Sequence, residues 1–368
     1  MKVCILSMQK VNNMGSLLQS YGLKRILETV GCEVEYIDIK RIDKDYDLLG
    51  SYTQDFSQEF GKTGFWGKIS RIDKYLLNRL KYRKLVIEQN NLFEKFRLEK
   101  LNIDRKSEKY DLCVIGSDEV FNCLNSGYWG FTSQLFGNVP EAKRVITYAA
   151  SCGTTKYEDL PDEIADRIRE SFKKISTFSV RDKNTLYFVR NLSDNQVSEN
   201  FDPVLIYDFD NEIEQEDLIK IPQRYCIVYS YRNRIHNNNE ISEIKNFCRV
   251  HKLTPIAVGS AQFWIENFIV CSPFQCLKLF KNANFVITDT FHGTIFAAKY
   301  TNKFAVLIRD SNRNKLGDLI ERLGIKDHLI NNMEELDIVY QTEKDANSIY
   351  QIIGREYSRS LEYLKGNI

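Results

Sequence analysis

Short apolar runs bounded by polar or glycine-containing turns alternate along this chain with stretches of helical period. The run Val3-Cys4-Ile5-Leu6-Ser7 reads as a buried strand. After a polar loop, apolar positions recur with helical spacing from about Ser16 to Val30, and Gly31 stands where a helix commonly ends. Val34 to Ile39 is the next strand. A strand, a helix and a second strand in this order open a parallel α/β sheet.

From about Asp43 to Lys109 the rhythm breaks into a helical region rich in Lys, Arg, Tyr and Phe, which reads as an insertion. Within it Phe65, Ile69, Ile72, Leu76 and Leu80 fall on one stripe, flanked by Lys68, Arg71, Lys74, Lys81 and Arg83. Such a helix either packs on its own domain or rests on an anionic membrane surface. Strands resume at 112–116, 145–149 and 177–180, with a helix at about 162–174. The acidic stretch Asp208 to Asp217 is the linker candidate. Beyond it come strands at 225–231, 255–259, 285–288 and 304–308, with helices at 239–250, 274–282, 292–300, 316–323 and about 345–364. The pattern predicts an α/β protein of two doubly wound, Rossmann-like domains facing a cleft. The first spans 1–207 with the insertion at about 43–109; the second spans 218–368, its last helix able to cross back. Ligands in such folds bind at the carboxyl ends of the strands.

Charge narrows the function classes. Fifty-one basic residues meet 50 acidic ones, which argues against a nucleic-acid partner. The nine cysteines are scattered with no C-x-x-C pair, so a zinc ribbon or disulfide framework is not expected and reduced, buried thiols are. The apolar start is too short for a signal peptide, and no run reaches the roughly 18 apolar residues of a membrane span. These readings predict a cytoplasmic protein, compatible with work at the inner face of the membrane. Oligomeric state is not legible.

The chemistry-bearing segments lie at strand ends. Asn13-Met14-Gly15-Ser16-Leu17-Leu18-Gln19 follows the first strand and opens a helix, where a glycine lets backbone N–H groups approach an anion or simply makes an ordinary turn. Gly116-Ser117-Asp118-Glu119-Val120-Phe121-Asn122 ends another strand; Asp118 could meet a sugar hydroxyl or cap a helix. Tyr148-Ala149-Ala150-Ser151-Cys152-Gly153 and Ser179-Val180-Arg181-Asp182 follow, the arginine suited to a carboxylate or phosphate, or to a surface pair with Asp182. The longest segment runs from Ala283 to Phe296 and contains Thr288-Asp289-Thr290-Phe291-His292-Gly293-Thr294 at a strand-to-helix turn. An imidazole exposed there can exchange a proton near neutral pH.

These segments together resemble the polysaccharide pyruvyl transferase family over roughly residues 1–330, outside the insertion. They match its N-x-G-x-x-L-Q, G-S-D-Q-x-W-N, Y-A-x-S-x-G, S-x-R-E and A-D-x-V-I-T-x-S-F-H-G-T-x-F patterns. Glu119 and Phe121 stand for the family's Gln and Trp, and Thr290 for its Ser. Lys315 stands where an arginine is frequent, and His328 follows Leu323-Gly324-Ile325 where another is frequent. The resemblance implies the B-type glycosyltransferase fold and transfer of a pyruvyl group from phosphoenolpyruvate to a sugar, forming a ketal. No metal or redox cofactor is demanded; phosphoenolpyruvate is a co-substrate. It implies His292 as general acid or phosphate ligand and Asp118 as candidate base. Arg181, Gly293, Thr290, Arg309 and Lys315 are expected at the donor. Asn13, Gly15, Gln19, Ser117, Asn122 and Ser151 are expected at the acceptor or the cleft. The acceptor sugar is unspecified and compatible with a lipid-linked form and peripheral membrane contact. Replacing Arg181 is expected to weaken donor binding with little effect on folding. The competing readings are a nucleotide-sugar-dependent glycosyltransferase and a non-catalytic carbohydrate-binding protein on the same scaffold.

Overall fold

The computed structural model describes residues 1–40, 72–124, 130–232 and 234–368, with side chains from 82 onward in the helix that begins at Ile72. The first half runs β1 (Lys2–Leu6), α1 (Met14–Thr29), β2 (Glu33–Tyr36), α2 (Ile72–Phe96), β3 (Tyr110–Asp118), β4 (Ala142–Ala150), α3 (Asp162–Phe172), β5 (Ile175–Val180), α4 (Lys183–Arg190), β6 (Val197–Glu199), α5 (Pro203–Ile206) and α6 (Asp210–Glu214). The second runs β7 (Tyr225–Tyr229), α7 (Asn238–Val250), β8 (Thr254–Val258), β9 (Asn267–Ile269), α8 (Pro273–Lys281), β10 (Phe285–Thr288), α9 (Phe291–Tyr300), β11 (Phe304–Leu307), α10 (Arg313–Leu323), β12 (Leu329–Ile330), α11 (Leu336–Tyr340) and α12 (Ala346–Asn367).

Two parallel six-stranded sheets result, ordered β2-β1-β3-β4-β5-β6 and β12-β11-β10-β7-β8-β9. Central strands such as Phe285–Thr288 are buried on both faces, as parallel strands under two helical layers must be. In the first sheet the order reverses between β1 and β3; in the second, between β7 and β10. Those are the crevices in which doubly wound folds hold ligands.

The halves are not loosely joined. One apolar core runs through both, from Val3 and Leu17 to Ile227, Phe274 and Phe296. Tyr21 of α1 meets Phe274 of α8 edge-on, ring centroids 5.0 Å apart. The acidic stretch 208–217 is structured rather than a free spacer. It contains α6, Ile213 is buried, and Glu212 accepts hydrogen bonds from Tyr21 (2.8 Å) and Tyr207 (2.7 Å). Helix α12 reaches the first sheet, where Tyr363 donates to Thr147 O at 2.8 Å.

The helical region before β3 does not stay with the first half. Gln89 of α2 exchanges two hydrogen bonds with the backbone of Cys271 (2.9 and 3.1 Å), while Arg97 donates to Gln9 O at 2.9 Å and Asn12 Oδ1 at 2.6 Å. The expected basic stripe at 65–81 lies outside the described residues and side chains. No described helix is long and apolar enough to cross a membrane. All nine cysteines are buried and unpaired.

Candidate active site

A cavity with about 690 Å³ of empty space, counted to its open mouth, lies between the two crevices. It is lined by Asp118, Glu119 and Arg181 from the first half and by Tyr231, His292 and Lys315 from the second. Asn13 and Asn122 also line it.

The first sheet supplies the charged floor. Asp118 is the last residue of β3 and holds a left-handed φ of +80°, which costs free energy for a residue with a side chain and so marks a functional candidate. It caps no helix. Its Oδ2 accepts from Ser16 in the first turn of α1 at 2.8 Å, and its Oδ1 from the Glu119 amide at 2.9 Å. Arg181, just past β5, is not in a surface pair with Asp182. It is 3 % exposed, donates to Asp202 at 2.8 Å and lies 3.4 Å from Asp118. Its guanidinium stacks on Phe291, 4.3 Å from the ring centroid, and its buried Nε has no partner among the described residues. Asp182 instead caps α4 and accepts from Ser151 at 2.7 Å.

His292 arrives from the first turn of α9, whose N-cap is Thr290, accepting from the Gly293 amide at 3.0 Å. It is 7 % exposed, and its Nε2 has no hydrogen-bond partner among the described residues. Asp202 Oδ2 stands 3.5 Å from that nitrogen, an ion-pair distance rather than a good hydrogen bond. Burial alone would push the Asp202 carboxyl up; the His292 imidazole and the Arg181 guanidinium outweigh it and hold it at about 2. Gly15 presses against the same ring: a Cβ placed there would lie 2.1 Å from His292 Cγ. The first half thus shapes the histidine's seat from two sides.

Lys315 and Glu119 form an ion pair across the cleft. Burial opposes both charges, yet the pair's attraction draws the Glu119 carboxyl down to about 2 and raises the Lys315 ammonium above its ordinary value. Asn122 donates to Glu119 at 2.7 Å and fixes its other oxygen.

Several expected site residues lie elsewhere. Arg309, expected as a donor clamp, is held by both oxygens of Glu240 (2.5 and 3.1 Å) and by Asp289 (3.1 Å), and does not line the cavity. Gly293 is packed against Thr288, Thr290 and Tyr229, where a Cβ would not fit. Gln19 lies beneath the site, donating to Ser7 at 2.8 Å. Ser117 donates to Ala149 O at 3.0 Å and stands 3.3 Å from Asp202. Ser151 belongs to the Asp182 cap. None of these five lines the cavity. His328 is stacked on Phe304 and bonded to its carbonyl at 3.0 Å, away from the cavity.

Asp202 is the residue that the sequence reading missed. Its one signal is the Asp202-Pro203 dipeptide, an N-cap followed by proline at N1. That signal reports the cap with Val204 N at 3.0 Å, not the second oxygen turned to Arg181 and His292.

The family model for polysaccharide pyruvyl transferase matches residues 13–311, which include every residue of this floor and both catalytic candidates. The chain belongs to the polysaccharide pyruvyl transferase family. No curated protein matches it in sequence. Among solved structures, the UDP-GlcNAc 2-epimerase of Methanocaldococcus jannaschii superposes with a TM-score of 0.50 at 13% identity, over 96% of this chain and 99% of the other. UGT89C1 of Arabidopsis thaliana, complexed with UDP-L-rhamnose, gives 0.50 at 7% identity, over 100% and 98%. Likeness at such identities is likeness of fold: two Rossmann-like domains, as in B-type glycosyltransferases. Within that fold this pyruvyl transferase family member carries its own side-chain set.

Proposed function

We propose that the enzyme transfers the pyruvyl group of phosphoenolpyruvate to two hydroxyls of a sugar destined for a polysaccharide, forming a pyruvate ketal. The observation that carries the reading is the convergence of Arg181 and His292, both inside the pyruvyl transferase sequence match, with Lys315 just beyond it, on one cavity. Phosphoenolpyruvate brings a carboxylate and a phosphate, and a guanidinium lining the cavity is a suitable donor to either. Lys315 supplies a second positive charge once Glu119 shares it with the ligand.

His292 acts as the general acid, delivering a proton to the methylene carbon. The adjacent carbon gains positive character, one sugar hydroxyl adds to it, and phosphate leaves. The second hydroxyl then closes the ring. Of the two hydroxyl protons, one is balanced by the proton on the new methyl group and the other leaves with phosphate. Asp118 is the base that accepts from the attacking hydroxyl, and Asp202 holds the imidazole in place from behind. Calorimetry with phosphoenolpyruvate, and separately with UDP and NAD, tests the donor. Binding of phosphoenolpyruvate alone is expected. Binding of UDP with no response to phosphoenolpyruvate would replace this reading by nucleotide-sugar transfer.

A further inference from the structure

A separate groove, with about 1410 Å³ of empty space counted to its open mouth, lies where the chain crosses between the halves. Its walls come from the segment that follows α5, from the carboxyl ends of α8 and α9, and from the amino-terminal half of α12. None of its residues lines the active-site cavity.

Three hydrogen-bond donors gather at the last turn of α9. Lys299 donates to Val204 O at 3.2 Å and to Tyr207 O. Lys344 donates to Ala298 O at 3.0 Å and Lys299 O at 3.1 Å. Two carbonyls leave each ammonium one proton to give. The Tyr300 hydroxyl is buried; the Phe209 amide approaches its oxygen, and its proton has no acceptor among the described residues.

No described carboxylate forms an ion pair with Lys299 or Lys344. Asp208, Asp210 and Glu212 act on Lys299 from farther off, and each is otherwise engaged. Asp210 is paired with Lys281 at 2.9 Å, Glu212 accepts from Tyr21 and Tyr207, and Asp208 accepts from the Asp210 amide at 2.9 Å. Lys299 otherwise faces the rings of Phe209 and Tyr300, 5.1 and 5.3 Å from their centroids, and Lys344 faces His328, which it repels. Burial therefore dominates, drawing the Lys299 ammonium down to about 7 and that of Lys344 to about 8. Buried cations without a counter-ion are costly, and a bound anion would relieve both.

The α12 side is apolar. Ile349, Ile353 and Tyr357 recur every four residues and run about 12 Å along the helix. Gly354 leaves this wall open, since a Cβ there would meet nothing within 4 Å. No described lining residue is an amide, a serine, a threonine or an arginine, so the groove offers little that reads a nucleotide base or a sugar ring.

We infer that this groove binds a single-chain organic anion, its carboxylate or phosphate head at Lys299, Tyr300 and Lys344 and its alkyl chain along Ile349, Ile353 and Tyr357. The inference is independent of the pyruvyl transfer reading. It places an occupant against the helix whose first turn carries His292.

Calorimetry on the full chain with octanoate, octyl phosphate, octanol and inorganic phosphate tests it. Octanoate and octyl phosphate identify which head is preferred, and at least one should bind. Octanol, without the charge, and inorganic phosphate, without the chain, should bind at least about 10-fold more weakly. Lys344→Met should weaken octanoate binding by about 10-fold or more, the range of a hydrogen bond to a charged group. Gly354→Trp fills the groove from a position with room for a side chain and should abolish binding while circular dichroism stays as in wild type. An anion favours the charged ammonium, so binding should take up protons. Octanoate affinity should then fall about 10-fold between about pH 6.5 and about pH 9, a range in which octanoate itself stays ionised. Failure of both anions to bind wild type, equal binding of octanol, binding that survives Gly354→Trp, or an affinity flat with pH would each overturn the site. A wild-type dimer that Gly354→Trp dissociates would assign the groove to a second copy of the chain and overturn it as well.

Discussion

Arg181 and Arg309 occupy equivalent places, each just beyond the carboxyl end of a parallel strand, and have opposite surroundings. Arg181 past β5 is buried, shares Asp202 and Asp118, stacks on Phe291 and lines the cavity. Arg309 past β11 is wrapped by Glu240 and Asp289 and turned from the cavity. Strand-end position brings an arginine to the crevice side of a sheet. Which way its fork points is decided by carboxylates that arrive from other elements.

The comparison can be broken most sharply at the group that Asp202 serves besides Arg181. His292→Gln keeps a hydrogen-bond donor but loses the acid, so turnover should fall roughly 100- to 10,000-fold with phosphoenolpyruvate affinity largely kept. Continuous phosphate release reads the first quantity and calorimetry the second. Normal turnover would reduce His292 to a positioning role.

The arginines themselves come next. Arg181→Ala leaves the Asp202 carboxylate, fully buried, without its ion pair. Loss of one partner of a buried pair costs about 3–5 kcal/mol, so urea unfolding should show a large destabilisation. The expectation from sequence that folding would be little affected is therefore corrected by the burial. The gentler Arg181→Lys should weaken phosphoenolpyruvate binding by roughly 1.5–3 kcal/mol. Arg309→Ala should leave that affinity unchanged; a loss there would restore Arg309 to the donor site.

A smaller effect is expected from Gly15→Ala. The added methyl overlaps the His292 ring, and a displacement on the order of 1 Å can cost about 100-fold in rate. Overpacking adds about 1–3 kcal/mol of destabilisation. Wild-type turnover in this variant would show that the imidazole has room to yield.

The smallest effect is electrostatic. Glu119 sits at about 2 in the folded protein against an ordinary 4.5. A depressed carboxyl contributes stability that is present above its unfolded value and is lost as pH falls through its folded one. Wild type should therefore lose stability between about pH 4.5 and about pH 2, and Glu119→Gln should flatten part of that slope in urea titrations. An unchanged slope would mean that the Lys315 pair does not form in solution.

The Glu119–Lys315 pair also bears on the departures from the family pattern. Read along the chain, Glu119 in place of glutamine and Lys315 in place of arginine look like two separate losses. In the fold they face each other across the cleft. An acid added on one side is met by the cation on the other.

What the sequence determined by itself was the periodicity and the punctuation. Apolar runs too short for helices, set between amphipathic stretches, specify a doubly wound fold, because parallel strands buried on both faces admit no polar alternation. The strand β10 was legible to its ends, as was the turn carrying His292. The edge strands β6, β9 and β12 were not, being only two or three residues long with few apolar positions to show a period. Tertiary structure alone decided which strand ends meet. Asp202 is 90 residues from His292 along the chain and 3.5 Å from it in space. Gly15 reaches the same ring from a different half. Contacts of that kind arise from two sheets closing on each other, and local sequence carries no record of them, since the pattern around each residue reports only its own cap or turn.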